Sequence, residues 1–122
     1  MRQLIIRVGV AGLAAVAIGC FGDLSTQNDL DPPIVQITSP QANDTVGGFV
    51  IIQANAIDGF GVASVRFYID GVLLSTDFVT PYQAVWNATG LTGAHVIKVE
   101  ARDEAGNQSS QSVQVIVSNV RN

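Results

Sequence analysis

The chain has 122 residues, of which 48% are hydrophobic and 13% charged, with a single cysteine and a single histidine. One cysteine excludes an internal disulfide and a cysteine-cluster metal site, so stability rests on apolar packing and backbone hydrogen bonds. All ten acidic residues but only four of the six basic ones lie beyond residue 19, a formal charge of −6 there, and no basic stripe offers a nucleic-acid backbone its counter-charge.

The chain opens with Arg2 and Arg7 and then Val8 to Gly19, twelve uncharged and mostly apolar residues. A membrane-spanning helix needs about 20 apolar residues, so this run has the length of a signal-peptide core. Leu4 to Ile6 extend it, which keeps a permanent anchor helix as the competing reading.

The run ends in Ala17-Ile18-Gly19-Cys20. These four residues resemble the lipobox of bacterial lipoproteins, with Ala17 where leucine is usual. The resemblance implies that Cys20 is thioether-linked to diacylglycerol and becomes the mature N-terminus, attaching the protein to a membrane through acyl chains. An ordinary signal peptide cleaved nearby is the plainer alternative. Phe21 rather than Asp follows the cysteine, which in a host with two membranes implies the outer one. The chain then divides into a signal peptide (1–19), a lipidated cysteine with a tether (20–32) and one domain (33–119). Phe21 to Pro32 is polar, acidic and without periodicity, a flexible stretch reaching at most about 40 Å.

From Pro33 onward, short runs rich in Val, Ile, Thr and aromatics alternate with Gly, Asn, Asp and Pro, the pattern of strands and turns. Strands are expected at Ile34 to Thr38, Thr45 to Ile57, Val62 to Asp70, Val72 to Asp77, Tyr82 to Asn87, Ala94 to Arg102 and Ser112 to Val117. Alternation assigns their faces. Val50, Ile52, Ala54 and Ala56 point one way and Gln53 and Asn55 the other; Val65, Phe67 and Ile69 are inward, as are Ile97, Val99 and Ala101, and Val113, Val115 and Val117. Asp70-Gly71 suits a type I′ hairpin turn, and Trp86, in phase with Tyr82 and Ala84, is the expected core anchor. Seven strands each with one wet face make an all-β sandwich of antiparallel strands.

Four stretches, PPIVQITSP, VRFYIDGVLLSTD, PYQAVW and GAHVIKVEARDEAGN, resemble the bacterial immunoglobulin-like domains of surface and secreted proteins, a likeness that spans Pro33 to Asn119. It implies an immunoglobulin-like β-sandwich serving as a spacer, an adhesive unit or an accessory module beside carbohydrate-active or proteolytic domains.

Little in the sequence points to catalysis. His95 has only Thr92 as a neighbouring hydroxyl and no nucleophile elbow is present. Asp58 and Asp103 each precede a glycine-containing loop and, with Asn107, Glu104 or Asp44, are candidate calcium ligands; the competing reading is that Asp and Asn cap tight turns. Phe60, Tyr68 and Phe78 are candidate binding aromatics. The functional expectation is a non-catalytic lipoprotein of the cell envelope, an immunoglobulin-like binding, adhesion or structural module that meets a protein or polysaccharide at the cell surface. The alternative is a glycan-binding accessory module of a polysaccharide-processing system. No enzyme activity, cofactor or nucleic-acid partner is expected.

Overall fold

The computed structural model describes residues 30–119, which form eight strands. They are β1 (Ile34–Ser39), β2 (Thr45–Val46), β3 (Phe49–Ile57), β4 (Val62–Ile69), β5 (Val72–Asp77), β6 (Tyr82–Asn87), β7 (Gly93–Asp103) and β8 (Gln108–Val117). One sheet has the order β1-β3-β6 and the other β2-β8-β7-β4-β5. No helix among the described residues is long and apolar enough to cross a membrane.

The expected second strand, Thr45 to Ile57, is two strands in different sheets. Thr45 and Val46 pair in parallel with Ile116 and Val117, whereas Phe49 onward pairs antiparallel with β6 and β1. The chain changes sheets at Gly47-Gly48, and the reason is steric. A Cβ on Gly47 would lie 2.4 Å from the Ser118 carbonyl oxygen, and Gly48 takes a left-handed φ of 64°, which glycine adopts without penalty. The last strand also starts earlier than expected, at Gln108, because Gln108 to Gln111 pair with Val99 to Arg102 despite their polarity.

The inward faces match the alternation. Ile52, Val65, Phe67, Ile97, Val99, Ala101 and Val115 are fully buried, and Ala56, Ile69 and Val113 pack at the margins of the same core. Trp86, at 5% exposure, joins them from β6. Asp70 and Gly71 take φ of 51° and 85°, as a type I′ turn requires.

Two groups of polar contacts close the sandwich. Along one edge, the Gln111 side chain accepts the Ile37 amide and the Ser109 hydroxyl donates to the Pro33 carbonyl, joining β1 to β8 across the sheets. At the end where β3 begins, the Asn119 carboxamide accepts the Gly48 amide at 2.8 Å and donates to the carbonyls of Ala88 and Leu91, each at 3.0 Å. The opposite end, where β3 finishes, carries the entering chain at residues 30–33 and the loops 58–61, 78–81 and 104–107.

Candidate functional site

At that loop end the two expected carboxylates are neighbours through their loops: the Glu104 amide donates to the Gly61 carbonyl. Each carboxylate is nevertheless held by its own turn. Asp103, 1% exposed, accepts the Ala105 and Asn107 amides at 2.9 and 2.8 Å, and the Asn107 side-chain nitrogen donates to its other oxygen at 2.9 Å. Asn107 thus presents a donor toward Asp103, the turn-capping arrangement. The Asp58 carboxylate accepts the Phe60 amide at 2.8 Å, and Asp44 that of Gln41. Among the described residues, no group of three or more His, Cys, Asp or Glu side chains is placed to share a metal ion.

The three candidate aromatics occupy different surroundings. Phe60 and Phe78 stand exposed on loops at this end. Tyr68 sits in β4 on the outer face of the five-stranded sheet, where the Lys98 ammonium lies 5.1 Å from its ring centre and its hydroxyl donates to Glu100 at 3.3 Å. The ring is therefore already engaged by charge on that face. Cys20 lies outside the described residues.

The sequence also conceals a polar pair. The Asp70 carboxylate accepts the Val96 amide at 2.8 Å and faces His95 Nδ1 at 2.6 Å, while His95 Nε2 faces the Thr92 carbonyl at 3.1 Å. Both ring nitrogens meet acceptors, and only the imidazolium has two N–H donors. The Asp70 carboxylate accordingly raises the His95 pKa above the usual histidine value, and the Val96 amide together with His95 lowers that of Asp70. The imidazole also stands edge-on to Trp86, ring centres 5.7 Å apart. Among the described residues, no serine or cysteine side chain hydrogen-bonds to the pair, which serves the hairpin turn.

A second feature that reading for aromatics and carboxylates overlooks is the contrast between the two outer faces. Arg66, Lys98, Glu100 and Arg102 all belong to the five-stranded sheet. Strands β1, β3 and β6 (IVQITS, FVIIQANAI and YQAVWN) contain no Asp, Glu, Lys, Arg or His. Their outward residues form successive cross-strand rows: Phe49 beside Asn87, Ile51 beside Val85, Gln53 beside Gln83, Asn55 beside Gln36, Ile57 beside Ile34. The absence of charge across all three strands was the available signal.

A two-sheet sandwich, three strands against five, with its loop carboxylates bound by their own turns, is the architecture of an immunoglobulin-like module. The chain belongs to the bacterial Ig domain family, whose model matches residues 33–99. Among solved structures it is similar to the fibronectin(III)-like modules of Clostridium thermocellum CbhA, at 33% identity and TM-score 0.65, covering 72% of this chain and all of that one. It shares the fold of parts of the Thermotoga petrophila endo-β-1,4-mannanase (14% identity, TM-score 0.61, 75% of this chain and 21% of that one) and of the Bacteroides uniformis β-glucuronidase (13%, 0.51, 75% and 11%). A search of curated proteins finds no match.

Proposed function

We propose that this protein is a non-catalytic, lipid-anchored module of the bacterial cell envelope, in which the immunoglobulin-like sandwich is a binding, adhesive or structural unit held at a membrane surface through Cys20. The observation that carries the reading is the placement of Cys20: it follows Ala17-Ile18-Gly19 at the end of an apolar run of signal-peptide length, and the family match begins only at residue 33. Two or more acyl chains give lasting attachment where one gives marginal binding. The non-catalytic part of the reading is supported by the carboxylates of Asp58 and Asp103, which are engaged by their own turns.

Intact mass of the protein from its native membrane fraction, read with its N-terminal peptide, tests this. The expected species begins at Cys20 and carries acyl mass. A chain that begins elsewhere, or that begins at Cys20 without lipid, overturns the anchor.

A second reading, a glycan-binding accessory module, is favoured by one specific observation: the uncharged, carboxamide-bearing outer face of the three-stranded sheet.

A further inference from the structure

We propose that the outer face of β1, β3 and β6 binds a linear, uncharged polysaccharide, with Gln36, Gln53, Asn55 and Gln83 as its hydrogen-bonding residues; this rests on the second reading above. The four carboxamides form two adjacent cross-strand pairs, Gln53 with Gln83 and Gln36 with Asn55. Two residues along β3 separate the pairs by about 7 Å. All four side chains are exposed, and none has a hydrogen-bond partner among the described residues. Each carboxamide both donates and accepts, as does each hydroxyl of a sugar. Apolar surface flanks the pairs along the strand direction. Phe49 (70% exposed), Ile51 and Val85 lie on one side and Ile34 and Ile57 on the other, positions from which they meet the C–H faces of neighbouring sugar rings. Beside Gln36 and Asn55 the surface dips into an open hollow of about 590 Å³, walled by Ile34, Ile57 and Pro81, within the range of small-molecule sites.

Charge and size select the occupant. The three strands carry no ionised group, and the carboxylates at their rim, Asp77, which accepts the Gln83 amide at 3.1 Å, and Asp31 and Asp58 beside Ile34 and Ile57, repel an anionic polymer, so the face imposes the least desolvation on a neutral one. Three strands about 4.8 Å apart, the longest of nine residues at about 3.3 Å each, make a strip about 14 Å wide and at most about 30 Å long. A narrow chain of neutral sugars matches both its shape and its chemistry.

The test uses the full chain in a polyoxyethylene detergent, which has no sugar headgroup, run by native affinity electrophoresis. The gels contain hydroxyethylcellulose, galactomannan, arabinoxylan or soluble α-1,4-glucan, with carboxymethylcellulose and polygalacturonate as charged counterparts. At least one neutral polymer is expected to retard the protein. The double variant Gln53→Ala/Gln83→Ala should weaken that retardation at least tenfold with an unchanged melting temperature, whereas Lys98→Ala on the opposite sheet should leave it intact. Retardation by no neutral polymer, by charged polymers alone, or equally in the double variant overturns the proposal. So does a dimer in sedimentation that the double variant dissociates, because a second copy then covers the face. The lipid anchor is read separately, from the N-terminal mass, so either result can fail while the other stands.

Discussion

His95 is a surface-proximal histidine whose two nitrogens both face acceptors, and its charge state has a definite thermodynamic sign. Its folded pKa lies above the ordinary 6.5. The stability it contributes is therefore whole below pH 6.5 and lost as pH rises through the higher folded value. Asp70, held below its ordinary 3.8, contributes stability above that pH that is lost as pH falls through the lower folded value. The melting temperature is expected to fall as pH rises from 6.5 through the higher folded pKa of His95, and His95→Gln should flatten that slope. An unchanged slope would show that the ring is not charged in the fold. Trp86, which the imidazole meets edge-on, is the deepest aromatic of β6. Trp86→Ala should cost about 3–5 kcal/mol in denaturant unfolding, and an unchanged midpoint would place the ring outside the core.

At the scale of elements, the switch of sheets between β2 and β3 rests on one tight approach and one carboxamide. Gly47→Ala places a methyl against the Ser118 carbonyl, so β2 must separate from β8 or the 47–49 segment must shift. Asn119→Ala removes partners from Gly48, Ala88 and Leu91 together and should cost about 1–3 kcal/mol. In native-state hydrogen exchange, the Gly48 amide should lose protection first, and uniform loss across all strands would contradict a local role. The switch was hidden in the sequence because Thr45 to Ile57 reads as one β-rich run, and a two-glycine interruption specifies neither sheet nor direction. The polar start of β8 was hidden for a related reason. Gln108 to Gln111 show no apolar alternation, and their pairing with β7 follows from the turn that Asp103 closes.

Across the whole molecule, the inward faces, the hairpin at Asp70-Gly71 and the Trp86 anchor were legible, because each depends on period-two alternation or on local φ preference. The Asp70–His95 pair was not, since residues 25 positions apart meet only when β4 and β7 are in register. The candidate face was half legible. Gln53 and Asn55 read as outward, but their union with Gln36 and Gln83 requires knowing that β1, β3 and β6 are neighbours. The proposed anchor belongs to this scale too. Cys20→Ser should move the protein from the membrane to the soluble fraction with its melting temperature unchanged, since the described core runs from Val35 to Val117; retention on membranes would contradict lipidation.

The described chain enters beside Ile57 at one end of β3 and leaves at Asn119 beside Gly48 at the other, so a tension applied between residues 30 and 119 runs along the strands. The ladder bonds of β1 on β3 lie across that pull. They are strained side by side rather than opened one after another like a zipper, and the sandwich is thereby disposed to carry a mechanical load along its length.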